Sequence, residues 1–182
     1  MKMRAQIITT ALALSWGGLV LAEGSEFVSP MLGFFEAGVV CAPEATGQRD
    51  APGTVAGTTH VVDQAPPFVS DRRIVPAVLG VGFGVRAGLG FAAQDAVVMT
   101  VTHPPFQGTG ATTQSFVTSI GSTDAPGITF YQFDETYELA LGDWTMTATT
   151  GVATLYEVTF TVVDPALVPD LANACDYQDL LS

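Results

Sequence analysis

The sequence predicts an all-β fold, either a β-sandwich or a small closed β-barrel, and three observations carry that expectation. Short segments rich in β-branched and aromatic residues recur from Phe34 to Val162 at turn-separated spacing. The prolines mark breaks between these segments. Beyond the first 22 residues, no segment sustains the 3.6-residue apolar period of an amphipathic helix.

Taken in order, Phe34 to Val40 is an apolar run bounded by Pro30 and Pro43, followed by a polar loop from Ala42 to Gly53. Thr54 to Val62 is β-branched and alternating. Gln64 to Pro76 contains Pro66, Pro67 and Pro76, so it reads as a loop or an edge connection. Leu79 to Ala87 reads as a strand, and Ala96 to Thr102 as a buried strand that stops at His103-Pro104-Pro105. Thr112 to Ile120 and Gly127 to Phe133 follow. The clearest pattern comes last. Trp144, Met146 and Ala148 alternate with threonines, Gly151 supplies a turn, and Tyr156, Val158, Phe160 and Val162 alternate with polar residues. Period two on both sides of a glycine is a hairpin. After it, Asp164-Pro165 reads as a cap and first-turn pair that opens a short helical tail, 164–182.

The first 22 residues have a different character. Lys2 and Arg4 precede a nearly uncharged apolar run from Ile7 to Leu21, and Ala22 closes it with a small residue. This is the pattern of a secretory signal peptide over 1–22, with cleavage after Ala22 and a periplasmic or secreted product. At about 15 residues, the run is short for a membrane-spanning helix. The expected mature chain, 23–182, is one domain. It keeps Arg49, Arg72, Arg73 and Arg86 against all 18 acidic residues, a net charge of −14. Such a surface repels phosphate backbones and anionic lipid heads, so neither nucleic acid nor membrane insertion is expected of it.

Cys41 and Cys175 are the two cysteines. In an oxidising compartment an isolated pair forms a disulfide, which here would clamp the tail onto the first strand. Neither has the near neighbour that a zinc site needs.

Gly80-Val81-Gly82-Phe83-Gly84-Val85 superficially matches a dinucleotide fingerprint, but the alternating Phe83 and Val85 continue a strand where that motif needs a helix. Its informative feature is a stripe. Gly80, Gly82, Gly84 and Arg86 share one face, and a face without β-carbons admits something close. The expected occupant is an internal aromatic, Trp144 or Tyr156; the alternative is a partner docking beside Arg86. Gly142-Asp143-Trp144 matches the Gly-x-Trp of lipocalins in the wrong place, so Trp144 is read as core. Asp134, Glu135 and Glu138, and Asp63 with Asp71, lack calcium-loop spacing. No metal or cofactor is expected. His60 and His103 have no nucleophile-elbow motif to work with.

Phe34–Cys41, Ile74–Val85 with its Val-Pro-Ala and Gly-Phe-Gly-Val, Val98–Phe106 with Thr-His-Pro-Pro-Phe, and Tyr137–Phe160 together resemble a family of secreted proteobacterial proteins of unknown function. The resemblance covers most of the mature chain. It implies an immunoglobulin-like β-sandwich, read here as about seven to nine antiparallel strands. It brings no activity or site residues with it. The functional expectation is a non-enzymatic periplasmic binding or structural module, with an unidentified protein or small molecule as partner. The competing expectation is an exported hydrolase or other enzyme using His103 with nearby acids.

Overall fold

The computed structural model describes residues 26–151 and 153–175. The signal peptide expected over 1–22 lies outside the described residues.

Ten strands form one mixed sheet that curls into two facing layers. The first layer contains β1 (Glu26–Val28), β6 (Ile74–Pro76), β8 (Gln94–Thr102), β9 (Thr113–Ser122), β11 (Gly142–Thr150) and β12 (Ala153–Val163). The second contains β2 (Leu32–Cys41), β5 (Phe68–Ser70), β7 (Val81–Leu89) and β10 (Gly127–Gln132). β9 joins the two: it pairs antiparallel with β8 and then, through Gly121 and Ser122, parallel with the end of β7. β3 (Gly47–Asp50) and β4 (Thr58–Val61) form a separate hairpin.

The hairpin expected around Gly151 is β11–β12, with Trp144 opposite Phe160 and Met146 opposite Val158. Their inward faces meet the second layer at Phe83, whose ring lies 4.7 Å from Phe160 and 5.8 Å from Trp144. Val39, Val81, Val85, Val97, Met99 and Val101 complete a core with almost no exposure. Period-two alternation thus becomes two apolar faces packed on each other, the defining arrangement of a sandwich.

The strand count exceeds the expected seven to nine, and not every pairing is antiparallel. β6 runs parallel to β12, and the end of β9 parallel to β7. The extra strands are β1, β3, β5 and β6, of three or four residues each, and β3 falls in the stretch from Ala42 to Gly53 expected to be a loop. Three residues are too few to show a period, and β5 and β6 lie in the proline-bearing segment read as a connection. The curled sheet does not close into a barrel: β5 ends it on one side, and β1 with β6 flank β12 on the other.

The tail begins as its sequence implies. The Asp164 carboxylate accepts the Ala166 amide at 2.8 Å and caps a 3-10 turn, Pro165–Leu167. α1 (Pro169–Ala172) follows, and Val168 and Leu171 are buried in the core. Cys175 is bonded to Cys41 at the end of β2.

Candidate functional site

The glycine stripe is partly displaced from its expected place. Gly80 lies just before β7, in a turn with φ +79°, so it does not share the strand face. Gly82 and Gly84 do, but β10 lies against them. A β-carbon on Gly82 would sit 2.3 Å from the Tyr131 carbonyl oxygen, and one on Gly84 would sit 2.6 Å from both the Thr129 carbonyl oxygen and the Phe130 β-carbon. The occupant is therefore internal, but it is the backbone of a neighbouring strand rather than the ring of Trp144 or Tyr156. Those rings lie on the opposite, core side with Phe83 and Phe35. The same holds one strand away: a β-carbon on Gly38, the partner of Gly84 across β2–β7, would run into the Ser70 carbonyl of β5 first, with the Phe68 ring next at 3.2 Å. Bare backbone at Gly38, Gly82 and Gly84 lets β5 and β10 coil tightly over β2 and β7. This leaves no open glycine face for a partner.

The histidines do not meet. His60 is on the surface, its Nε2 2.8 Å from the Asp134 carboxylate. His103 is 6% exposed. Its ring stacks on Phe106 and Trp144, with centroids at 3.8 and 4.6 Å. The loop after β8 folds back to make this slot, held by the His103 amide on the Thr112 carbonyl and the Phe106 amide on the Ala111 carbonyl. Nδ1 lies 2.8 Å from the Pro104 carbonyl, so the ring proton sits on Nδ1 and Nε2 is left to accept from the Gln114 amide at 3.5 Å.

A buried chain of polar groups continues from there. Gln114 Nε2 donates to the Tyr131 hydroxyl at 3.0 Å, and that hydroxyl donates to Glu138 Oε1 at 2.6 Å. Glu138 Oε2 accepts the Asp134 and Glu135 amides, and Gln114 Oε1 accepts the Val55 amide. Every member has its partners, which makes the chain a structural tie between β8, β9, β10 and the 3-10 turn at Thr136–Glu138.

Burial pushes His103 below its ordinary value of 6.5, against the Pro104 hydrogen bond that raises it. Burial pushes Glu138 up, opposed by its hydrogen bonds from Tyr131 and the two amides. Tyr131 is raised by burial and by the neighbouring Glu138 charge. Protonating His103 Nε2 would aim a proton at the Gln114 amide, which is itself a donor. Because the folded value is depressed, stability from a neutral His103 is present above 6.5 and is lost as pH falls toward that lowered value. Glu138 acts in the opposite sense, since its raised value restores stability as pH falls toward 4.5. Urea titrations at about pH 7.5 and about pH 6 should show a loss of stability on acidification that His103→Phe reduces. An unchanged pH slope in the variant would refute this assignment.

The expected use of His103 as a catalytic base with nearby acids is corrected by this geometry. The imidazole is closed between two rings and committed on both nitrogens, and its route to a carboxylate passes through an amide and a phenol.

The cleft that the structure does present lies elsewhere, between the two unclosed sides of the sheet. It has a volume of about 860 Å³ and is lined by β2, β5, the segment before β5, Glu26, Arg73 and Arg86. After Ser70 the chain leaves the second layer and reaches the first at Ile74. Arg73 lies on that crossing and straps the two layers together. Its Nε and Nη2 donate to Glu26 on β1 at 3.1 and 2.7 Å, and its Nη1 donates to the Ala37 carbonyl on β2 at 2.6 Å. Arg86 lies across from Glu36, with its guanidinium 5.2 Å above the Phe68 ring and Nη2 on the Pro66 carbonyl. Of the four residues read as a contact face, Arg86 alone lines the cleft.

Residues 28–162 match the family described as a domain of unknown function, DUF3859. The chain belongs to this family. No curated protein matches it. Among solved structures, it is similar to an immunoglobulin-like protein from Pseudomonas aeruginosa, with 22% identity, a TM-score of 0.48, and coverage of 78% of this chain and 99% of that one. It also resembles part of the Pseudomonas fluorescens alkylpurine DNA glycosylase AlkC, at 14% identity and a TM-score of 0.32, over 50% of this chain and 27% of that one.

Within this DUF3859 domain, sequence reading did not single out Arg73, Glu26, Phe35 or Phe68 as cleft residues. Only the crossing itself left a signal, in the prolines and the Arg72-Arg73 pair between Gln64 and Pro76. Among the described residues, no cluster of potential metal ligands forms, and no helix is long and apolar enough to cross a membrane.

Proposed function

We propose that the domain is an exported, non-enzymatic binding module and that the cleft between the sheet edges is its ligand surface. The observation that carries this reading is the cleft itself. It is a concave site of ligand-binding size that brings Phe35 and Phe68 together with Arg73 and Arg86, in a chain with six basic residues. The disulfide and the apolar leader support export. Catalytic chemistry has less to work with there, since neither histidine lines the cleft.

Ala65 is exposed at the cleft wall, so Ala65→Trp fills the site without touching the core. The native domain and this variant, each immobilised and exposed to a periplasmic extract, should retain different species by quantitative mass spectrometry. The native protein should hold a set that the variant loses. Identical or empty sets would overturn the reading.

A further inference from the structure

We infer that the cleft accepts an extended, basic polypeptide segment, which adds as a strand along the open edge of β2. This rests on the reading of the cleft as the ligand surface. β2 has ten residues, but β5 pairs with it only at Val39 and Val40. The line that β5 would follow along the rest of β2 is vacated where the chain crosses to the first layer. From Leu32 to Gly38, no strand among the described residues flanks that side.

Antiparallel pairing alternates the direction of backbone groups, so Phe35 and Ala37 point the same way as Val39, away from β7. The Ala37 carbonyl confirms the direction, because it is met on that side by the Arg73 guanidinium. A side-chain donor thus stands where a neighbouring strand would put an amide. An incoming strand would supply a donor and an acceptor to Phe35 and an acceptor to the Ala37 amide, while Arg73 keeps the Ala37 carbonyl and alternate side chains enter the cleft.

Charge selects the occupant. The chain carries −12 overall, and Glu26, Glu36 and Asp71 line the cleft, while Arg73 and Arg86 are held by Glu26, Glu36 and backbone carbonyls. A segment bearing Lys or Arg is steered in by the net negative charge and finds the Asp71 carboxylate, which is in neither of the arginine pairs Arg73–Glu26 and Arg86–Glu36, whereas an acidic segment or a second copy of this chain is repelled.

The test uses a labelled synthetic peptide of about seven residues alternating lysine and valine, enough to span the open stretch of β2. Two controls accompany it: the same peptide with alternate backbone nitrogens methylated, and a glutamate–valine version. Fluorescence anisotropy should show the basic peptide binding, and each control should bind about tenfold or more weakly. Amide hydrogen exchange should slow at Phe35 and Ala37 when the basic peptide is bound. Equal binding of the methylated peptide, binding without protection at those amides, or no binding would overturn strand addition. So would concentration-dependent dimerisation in light scattering that protects the same amides without peptide. If the peptides fail while Ala65→Trp still loses the species captured by the native domain, strand addition falls and the binding-module reading stands.

Discussion

Gly82→Val is expected to lower stability by about 3 kcal/mol, near the upper end of overpacking costs, and the melting temperature by roughly 6–12 °C. The reason is what the new β-carbon meets. The Tyr131 carbonyl oxygen would be 2.3 Å away and the Gln132 α-carbon 3.0 Å away. Both are backbone atoms of β10, which is fixed to β7 over six consecutive pairs from Gly127 to Gln132. A flexible side chain could rotate away from the intruder, but a paired strand must move as a unit. Gly47→Ala is the matched control. Its β-carbon would meet only the Val61 β-carbon at 4.0 Å, so stability should hold or rise slightly. Thermal melts of the two variants separate coiling enforced by bare glycines from a general intolerance of substitution. An undiminished melting temperature for Gly82→Val would contradict the close approach of β10.

Removing the disulfide with the double substitution Cys41→Ser and Cys175→Ser is expected to cost about 4–5 kcal/mol, the chain-entropy value for so long a closed loop. The bond joins positions 134 residues apart and closes most of the fold. It also holds the segment that carries Val168 and Leu171 into the core, so its loss frees both the unfolded chain and a docked tail. The melting temperature should fall by roughly 10–15 °C, and reduction of the native protein should reproduce most of that shift. A drop of less than about 3 °C would show that the tail stays docked through Val168 and Leu171 alone and that the bond adds little.

The parts of this fold that were legible in the sequence are those governed by local periodicity. β11 and β12 carry clear alternation on either side of Gly151, which marks their inward residues, while the bulge between Ala148 and Thr149 leaves no such signal. The cysteines were legible because an isolated pair has one partner to choose. The glycine stripe was legible as a close approach but not as to its cause. Alternation assigns Gly82 and Gly84 to one face, yet it does not say which strand will fold over that face. Gly80 further escaped the pattern because its positive φ belongs to a turn. His103 was read from its neighbours Pro104 and Pro105 as the end of a strand. Its burial depends on the following loop returning to place Phe106 beside Trp144, a tertiary event with no local period. The cleft was the least visible feature. It arises from a change of layer between Ser70 and Ile74, and three-residue strands leave no pattern that could announce it.

Amide hydrogen exchange on the isolated protein measures directly whether β2 keeps an open backbone edge inside this cleft. Val39 provides an internal standard, since it lies on the same strand, faces the same side and is covered by Ser70 of β5. Slow exchange is expected at Val39, and markedly faster exchange at Phe35 and Ala37 in the monomer. Protection of Phe35 and Ala37 equal to that of Val39, in a sample shown to be monomeric, would mean the edge is already covered and would rule out strand addition there.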